Sequence, residues 1–296
     1  MLTGKEFELL SLMARETQPL TQRKMAEQVG CSLGSVNRLL KALTEQGYFD
    51  GGRITAAGLE ALEPYRVRRA IFLAAGFDPK LVPVTLNTPK PLVRVGGVRM
   101  IDTLLDAVAQ AEIPEVVIVR GYLGEQFDQL KYKYPQIRFV ENPLFNEHNN
   151  ISSAMCVRFL LGNAYVLDAD LVLKNPRLIR KYEYETNLLG IPVDRTDDWC
   201  VTTDRNGFAA EVHMGGVNGY REVGIFYLSG EDGARLAQDL SDVYCSPGGK
   251  KRYWEQTMLT YKREHYQVAV RSCTPQDVFE IGTFAELKQA DTAYDI

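Results

Sequence analysis

The apolar stretch at residues 71–75 and the turn after it constrain the fold of this chain more than any other feature. Five apolar residues in a row predict a short buried strand, and Gly76 ends it. Small residues at a strand end let backbone N–H groups approach a ligand, and successive N–H groups in a turn can bind an anion. Lys80 and Lys90 add positive charge nearby. The pattern is compatible with a phosphate site and also with an ordinary strand–loop connection.

The length and composition of the chain bound its class. With 296 residues it is long enough for two domains. A net charge of −4 gives no overall basic bias, so any nucleic-acid site must be local. No apolar run approaches the roughly 20 residues that span a membrane and no secretory signal is recognisable, so we expect a cytoplasmic protein without a membrane partner. The five cysteines form no CxxC pair, which indicates neither a disulfide framework nor a zinc site.

Residues 1–66 carry the pattern of a small, separate α+β domain. Three helices are predicted, the second between Thr21 and Gly30, and a hairpin at 50–52 and a last helix near 56–62 follow. This order resembles the winged helix-turn-helix domains of bacterial regulators, whose third helix enters the major groove of DNA. The resemblance implies DNA contacts from exposed polar residues of the third helix and the wing, namely Ser35, Asn37, Arg38, Lys41 and Arg53.

The charge of this first domain leaves its partner open. Up to Arg66 the chain has eight basic and eight acidic residues, and a net charge of zero is weak for a domain that binds phosphates. One alternative is weak DNA binding, mainly as a homodimer. The other is a docking or dimerisation module that does not contact DNA.

Residues 67–296 alternate strands with helices, which predicts a doubly wound α/β sheet. Strands are expected at 69–74, 115–119, 137–141 and 164–167, and helices at 98–111, 123–131 and 151–161. Four later strands, at 188–192, 199–203, 208–214 and 222–227, have no helices between them and indicate a mixed sheet or a flap. Helices near 230–240 and 251–264, a strand near 267–270 and a C-terminal helix complete the prediction.

The second domain resembles, over its whole length, the sugar-phosphate and choline-phosphate nucleotidyltransferases. The opening motif is Leu73-Ala74-Ala75-Gly76, then Pro83-x-Thr85 and Pro89-Lys90-Pro91-Leu92-Val93. The element Asn149-Asn150-Ile151-Ser152-Ser153 is typical of the choline-phosphate, LicC-like branch of the MobA-like superfamily. The resemblance implies a GT-A, Rossmann-like nucleotidyltransferase domain that binds CTP through Leu73, Ala74, Ala75, Gly76, Gly121, Tyr122, Asn150 and Ser153. Because Asn150 or Ser152 can also cap the helix that starts there, we expect a cap and a ligand contact together.

Asp168 and Asp170 follow a predicted strand, where their carboxylates suit a metal ion. At spacing i, i+2 both point to one face, and open α/β sheets bind ligands at the carboxyl ends of their strands. Capping of a turn is the alternative. In the resembling family this motif holds Mg²⁺, which implies Asp170 as the main ligand and Asp168 as the second. The family has another acidic ligand where this chain has Gly282, and Glu280 is our candidate to replace it.

Both tryptophans lie in acidic and aromatic segments, Asp197-Asp198-Trp199 and Tyr253-Trp254-Glu255. A quaternary ammonium group favours aromatic faces with carboxylates close by. The choline-phosphate branch has a similar segment at each place, which implies an amine pocket made of Asp197, Asp198, Trp199, Tyr253 and Trp254. The alternative is that both tryptophans are ordinary core or rim residues.

The resemblance implies an enzyme that transfers CMP from CTP to phosphocholine, or to a related phospho- or phosphonoamine, and releases pyrophosphate. Such a transfer needs no nucleophile from the protein, which must position two anions and neutralise their charge with Mg²⁺. Lys80, Lys90 and Asp170 would carry the catalysis. A sugar-phosphate nucleotidyltransferase fits less well, because of the two asparagines at 149–150 and the acidic segment before Trp199.

Two departures from the family pattern support a rival interpretation. The family has Gly and Arg where this chain has Asp78 and Lys80, and we expect Asp78 to point negative charge toward the triphosphate. Gly282 removes a carboxylate from the expected metal site. The alternative is therefore a transcription regulator whose degenerate nucleotidyltransferase domain senses a nucleotide or a CDP-amine.

Overall fold

The computed structural model describes residues 1–16 and 18–295. The chain divides into two units: Met1–Arg66 with Tyr182–Tyr184, and Val67–Lys181 with the chain from Glu185 onward. The sequence pattern gives no sign that Tyr182–Tyr184 belongs with the first unit. It does so because Tyr182 is buried in that unit's core and the ring of Tyr184 stacks on Tyr65 at 5.5 Å.

In residues 1–16 and 18–66 the first unit has four α-helices and a hairpin. The helices are α1 Gly4–Arg15, α2 Gln22–Val29, α3 Leu33–Glu45 and α4 Ala56–Leu62, and the hairpin pairs β1 Phe49–Asp50 with β2 Arg53–Ile54. Side-chain oxygens of Thr3, Thr21, Ser32 and Thr55 cap the four helices. Gly30 ends α2 with a left-handed φ of 64°, as the sequence predicts. Helix, helix, helix and wing follow each other in the predicted order.

As far as residue 295, the second unit consists of a sheet of seven strands, two small two-stranded sheets and four α-helices. Its strands are β3 Arg69–Ala74, β4 Arg94–Val95, β5 Val98–Arg99, β6 Glu115–Arg120, β7 Ile137–Glu141, β8 Ala164–Asp168, β9 Leu171–Leu173, β10 Asn187–Thr203, β11 Ala209–Leu228, β12 Ala269–Ser272 and β13 Val278–Glu280. The helices are α5 Met100–Gln110, α6 Ile151–Cys156, α7 Gly230–Cys245 and α8 Phe284–Ala290.

The large sheet is mixed and has the order β12-β10-β11-β8-β3-β6-β7. Strands β8, β3, β6 and β7 run parallel, whereas β11 is antiparallel to both β8 and β10. Successive side chains of β3 point to opposite faces of the sheet, because Ala70 and Phe72 belong to one buried cluster and Ile71 belongs to another. Both faces of the sheet are therefore covered, as a doubly wound fold requires, and the predicted fold class is confirmed.

Two predicted parts of the C-terminal half take another form in the structure. The four strands expected between 188 and 227 are two long strands, β10 and β11, with several irregularities in their pairing. The helix expected at 251–264 is a series of short turns, of which the π-helical turn Thr257–Tyr261 is the longest. One reason why no continuous helix forms is that the backbone N–H of Trp254 donates to the side-chain oxygen of Asn150, at 3.0 Å, instead of to a carbonyl of a helical turn.

Two shorter helices also end earlier or wind more tightly than expected. Helix α6 stops at Cys156, and the 3-10 turn Arg158–Leu160 follows it. The segment Gly124–Tyr132 is a 3-10 helix, preceded by Leu123 in a left-handed conformation. Strand β13, which the sequence does not predict, pairs antiparallel with β9 and brings Glu280 opposite Leu171. This pairing places the side-chain carboxylate of Glu280 next to the end of β8.

Candidate active site

An open cleft of about 700 Å³ lies at the carboxyl ends of β3 and β8. Parallel strands direct their carboxyl ends to one edge of the sheet, where ligands bind in open α/β folds. Most residues predicted from the sequence line this cleft, namely Leu73, Ala74, Ala75, Gly76, Lys80, Lys90, Asn150, Ser153, Asp168, Asp170, Asp198, Trp199, Tyr253 and Glu280. Gly121, Tyr122, Asp197 and Trp254 do not.

Asp78 follows Gly76 in the turn and lines the cleft. One carboxylate oxygen of Asp78 accepts the backbone N–H of Lys80 at 2.8 Å and so caps the 3-10 helix Pro79–Leu81. The other lies 3.0 Å from the ammonium nitrogen of Lys90. The side chain is thus held by two partners, and its orientation toward a triphosphate stays a prediction.

Lys90 is the centre of the charged end of the cleft. Its side chain is only 4% exposed, and its ammonium nitrogen lies 2.8 Å from carboxylate oxygens of both Asp170 and Glu280, besides Asp78. Burial by itself lowers the pKa of a lysine, but the charges of Asp170 and Glu280 outweigh it and raise the pKa of Lys90. Lys90 is therefore a permanent cation held by carboxylates from three separate segments.

The carboxylates around Lys90 fit a metal ion only in part. Within residues 1–16 and 18–295, no group of three or more His, Cys, Asp or Glu side chains is arranged to hold one. Mg²⁺ usually takes one or two carboxylates and completes its shell with phosphate oxygens and water. Asp170 and Glu280 meet that smaller demand. Burial, and then the charge of Asp170, raise the pKa of Asp168 well above its ordinary value. Asp168 is therefore a weaker candidate for a metal ligand than Asp170 or Glu280.

The Asn-Asn element forms a polar wall of the cleft, but it does not cap helix α6. Asn150 has helical backbone angles and makes no side-chain cap bond, because its oxygen accepts from the Trp254 N–H instead. The hydroxyl of Ser152 donates to the Asn149 carbonyl at 2.8 Å. The expected cap is therefore wrong. Asn142, which the sequence did not suggest, is buried and donates to the hydroxyls of Ser152 and Ser153 at 2.9 and 3.0 Å.

Gly121 and Tyr122 support the opening loop from outside the cleft. A Cβ atom on Gly121 would lie 2.6 Å from the ring of Phe145 and 2.9 Å from the Ala75 carbonyl, so only glycine fits there. The backbone N–H of Tyr122 donates to Ala75 at 2.9 Å, and its hydroxyl donates to the Thr85 carbonyl at 2.9 Å. These contacts fix the loop at residues 75–85.

The far end of the cleft is aromatic and acidic. The rings of Trp199 and Tyr253 meet edge to face at 5.8 Å, and Asp198 lies beside them. Trp254 is instead a core residue, 2% exposed and packed on Phe226 at 5.0 Å, because it points to the opposite side of its turn.

Strand β11 contributes lining residues that the sequence did not indicate, namely Arg221, Glu222, Val223 and Gly224. They escape a sequence search because they belong to no motif and reach the cleft only through the pairing of β11 with β8. Gly224 has a φ of 73°, and a Cβ atom there would lie 2.8 Å from the carboxyl carbon of Asp168. This glycine therefore makes room for Asp168.

The predicted DNA contacts lie on the first unit. Asn37, Arg38 and Lys41 of α3 and Arg53 of the wing are exposed. Ser35 is half-buried, and its hydroxyl is 2.9 Å from that of Ser32 at the helix start.

Comparison with known proteins identifies relatives of both units. Residues 69–188 match the family model for nucleotidyl transferases, and residues 8–65 match that for the Crp-like helix-turn-helix domain. A 2-aminoethylphosphonate cytidylyltransferase of Lancefieldella rimae is 32% identical over 228 residues, which cover 76% of this chain and 92% of the relative. A choline-phosphate cytidylyltransferase of Streptococcus pneumoniae is 27% identical over 223 residues, 75% of this chain and 96% of the relative.

One solved structure has a similar fold, and its sequence identity to this chain is close to that of the Streptococcus pneumoniae relative. The CTP:phosphocholine cytidylyltransferase of Streptococcus pneumoniae superimposes with a TM-score of 0.70 and 26% identity, over 77% of this chain and 99% of that one.

None of the helices within residues 1–16 and 18–295 has the length and apolar character needed to cross a bilayer.

Proposed function

Because the chain belongs to the cytidylyltransferase family of nucleotidyltransferases, we propose that it transfers CMP from CTP to a small phospho- or phosphonoamine. Phosphocholine is one such acceptor, and 2-aminoethylphosphonate is another that the names of the relatives suggest. The observation that carries the proposal is the meeting of Lys90, Asp170 and Glu280 in the cleft beside Leu73 and Gly76.

The proposed reaction is an in-line displacement. An oxygen of the acceptor's phosphate or phosphonate attacks the α-phosphorus of CTP and forms the new P–O bond. The bond from that phosphorus to the bridging oxygen breaks, and pyrophosphate leaves with the electron pair. No protein nucleophile takes part, so the cleft has to hold two anions together and offset their repulsion.

Each end of the cleft has a role in this proposal. Lys90 and Lys80 would bind phosphate oxygens, and Lys90 would exchange part of its carboxylate contacts for them. Asp170 and Glu280, with Asp168 behind them, would hold Mg²⁺, which supplies charge neutralisation at the triphosphate. Asn150 and Ser153, which also line the cleft, would contact the nucleotide. Asp198, Trp199 and Tyr253 would face the amine of the acceptor.

A second candidate is a regulator that binds a nucleotide or a CDP-amine without turnover. It is favoured by the contact of Asp78 with Lys90, which occupies a cation that a triphosphate needs, and by Gly282. The test is a variant with Asp78→Gly, Pro79→Ser, Lys80→Arg and Gly282→Asp together. If the chain is a sensor, this variant turns over about tenfold faster or more, equivalent to about 1.4 kcal/mol of barrier. If the parent chain already turns over fast and the variant is no faster, the sensor hypothesis is wrong.

For the first unit we propose DNA binding through α3 and the wing, mainly as a homodimer. Its support is the match to a Crp-like helix-turn-helix domain and the exposure of Asn37, Arg38, Lys41 and Arg53. The balanced charge of residues 1–66 predicts weak, salt-sensitive binding.

A steady-state screen tests the proposed reaction. Each of the four ribonucleoside triphosphates is offered with phosphocholine, phosphoethanolamine, 2-aminoethylphosphonate or a sugar 1-phosphate, and pyrophosphate release is measured with Mg²⁺ and with chelator. We expect release that needs CTP, one of these acceptors and the metal. Release with sugar phosphates but with none of the amines, or from CTP without any acceptor, would contradict the proposal.

A further inference from the structure

The hydroxyl group of Ser153 has a hydrogen for which the described residues of the chain offer no acceptor. Ser153 lines the cleft and is only 4% exposed. Its oxygen accepts a hydrogen bond from the side-chain amide of Asn142 at 3.0 Å. The hydroxyl of Ser152 also accepts from Asn142, but it donates its own hydrogen to the Asn149 carbonyl. Buried polar groups nearly always have a partner, so the Ser153 hydrogen indicates an acceptor atom on a ligand.

The side chain of Asn142 determines the direction of this hydroxyl group. One of its two polar atoms accepts the backbone N–H of Leu144 at 2.9 Å, and only the amide oxygen can do so. The amide nitrogen therefore faces the two serines and donates to both. Asn142 is 2% exposed, and its own backbone N–H donates to the Arg120 carbonyl at 2.9 Å. Its orientation is thus fixed, and it leaves the Ser153 hydrogen for the cleft.

Asn142 and Ser153 lie at the end of the cleft that suits the base of a nucleotide. Asn142 directly follows β7, which is three strands away from β8 in the large sheet, roughly 14 Å at the usual spacing. The charged group around Lys90 includes Asp170, just after β8. The proposed acceptor end belongs to β10 and β11, on the opposite side of β8. If the triphosphate lies at Lys90, the uncharged base is the part of the nucleotide that reaches toward β7.

Resting on the proposed function, we propose that the Ser153 hydroxyl donates a hydrogen bond to N3 of cytosine, and that Asn142 is the positioning residue that makes it a donor. N3 is an acceptor in cytosine, whereas in uracil it carries a hydrogen. At position 4 cytosine has an amino group, which is itself a donor. A hydroxyl group that is held as a donor therefore distinguishes CTP from UTP at N3, where UTP would bring two donors together.

The test reverses the direction of the hydroxyl group. Asn142→Asp keeps the oxygen that accepts from Leu144 and replaces the donating nitrogen by an accepting oxygen, so the Ser153 hydrogen turns toward it and a lone pair faces the cleft. Ser153→Ala removes the group. We measure kcat/KM for CTP, UTP and 3-deaza-CTP, in which a C–H group replaces N3, with the amine acceptor that the parent uses best. Asn206→Asp, the same change at an exposed turn, is the control.

We expect Asn142→Asp to lower the preference for CTP over UTP by about tenfold or more, in part because turnover of UTP rises. Ser153→Ala should lose about tenfold with CTP and nothing with 3-deaza-CTP, which the parent already uses poorly. The control should change none of these values. A role of Asn142 in folding alone would lower turnover of all three nucleotides alike. If Asn142→Asp does not fold, Asn142→Ala takes its place and must also lower the preference for CTP.

Several results would overturn the inference while leaving the proposed reaction in place. These are an unchanged preference for CTP over UTP in the Asn142 or Ser153 variants, as a contact with the shared carbonyl oxygen O2 would give, or an equal loss with CTP and 3-deaza-CTP in Ser153→Ala. If no acceptor is turned over, the proposed function fails, and calorimetry decides the inference alone. CTP must then bind the parent more tightly than UTP and 3-deaza-CTP, and the difference must shrink in both variants. Absent binding or an unchanged difference overturns it.

Discussion

At the scale of single residues, the charge around Lys90 determines how a triphosphate can enter the cleft. One buried ammonium group is shared by the carboxylates of Asp78, Asp170 and Glu280, which together carry more negative charge than it offsets. A triphosphate brought to this point meets repulsion unless a divalent cation comes with it. We therefore expect the metal requirement of the proposed reaction to reside in the carboxylates that now contact Lys90.

Asp170→Ala tests that expectation. Loss of one of the two carboxylates that lie 2.8 Å from Lys90 should abolish Mg²⁺-dependent turnover, while the fold stays intact because Asp170 is partly exposed in the cleft. The measurement is pyrophosphate release as a function of Mg²⁺ concentration, with thermal unfolding as the check on folding. Wild-type activity in this variant would remove Asp170 from the site.

The buried carboxyls of Glu222 and Glu255 predict how stability depends on pH. Their pKa values of about 8 lie above the ordinary value of 4.5, so between about pH 5 and pH 8 the folded state binds more protons than the unfolded state. The free energy of unfolding then falls as the pH rises through this window. The groups that face Glu222 are Glu255, Asp198 and Glu280, all acidic, so none opposes the trend.

Melting temperatures of the second unit, measured in chelator from about pH 5.5 to about pH 8.5, check this prediction. Glu222→Gln should flatten the decline, because glutamine does not titrate. Glu211→Gln should leave it unchanged, because that side chain is exposed. An identical decline in the parent and in Glu222→Gln would show that the carboxyl of Glu222 does not cause it.

At the scale of elements, the hairpin of β10 and β11 carries one wall of the cleft. Its pairing is interrupted at several points, including one between Thr196 and Trp199, next to the aromatic end. Bulges of this kind bend a strand and redirect its side chains, and they are common beside active sites. Further along β11, Gly224 takes a left-handed conformation and packs directly against Asp168.

Gly224→Ala should therefore reduce turnover strongly, by more than about tenfold. Alanine at a φ of 73° is strained, and its Cβ would also press on the carboxyl group of Asp168. Gly207→Ala is the matched control on the same hairpin, with a φ of 86° and no atom within 4 Å of the added Cβ. Both variants should lose stability, by about 1–2 kcal/mol from strain, and only Gly224→Ala should lose activity. Equal activity in the two variants would contradict the role given to Gly224.

The sequence predicted correctly those elements whose causes lie within a few residues of one another. The caps at Thr21 and Gly30 and the strand at 69–74 could be recognised in the sequence because their causes lie within a few residues. The cleft residues of β11 could not, since only pairing with β8, far away in the chain, brings them to the site. The same holds for the partner of Asp78, because nothing in residues 76–80 indicates that its carboxylate turns back to Lys90.

At the scale of the whole molecule, one chain combines a Crp-like helix-turn-helix domain with a cytidylyltransferase domain. The proposed DNA binding and the proposed nucleotidyl transfer together would link the level of a substrate to transcription. Each unit has a prediction of its own, and either prediction can fail without the other.

For the first unit we predict that Arg38→Ala combined with Lys41→Ala weakens DNA binding and lowers its dependence on salt. Two fewer phosphate contacts should reduce the slope of log affinity against log salt by about 2. Arg205→Ala, an exposed position of the second unit, is the control and should change neither quantity. The measurement is fluorescence anisotropy with DNA that flanks the gene, at several salt concentrations. Absence of binding even at low salt would favour the docking module.

The central claim is that the second unit is a working cytidylyltransferase for a phospho- or phosphonoamine. Phosphorus NMR of CTP mixed with 2-aminoethylphosphonate, Mg²⁺ and the protein follows both products at once. We predict that the signals of CTP and the free phosphonate fall together, while pyrophosphate and a new phosphonate–phosphate anhydride appear in equal amounts. A spectrum in which CTP and the acceptor stay unchanged, with phosphoethanolamine and phosphocholine equally inert, would contradict it.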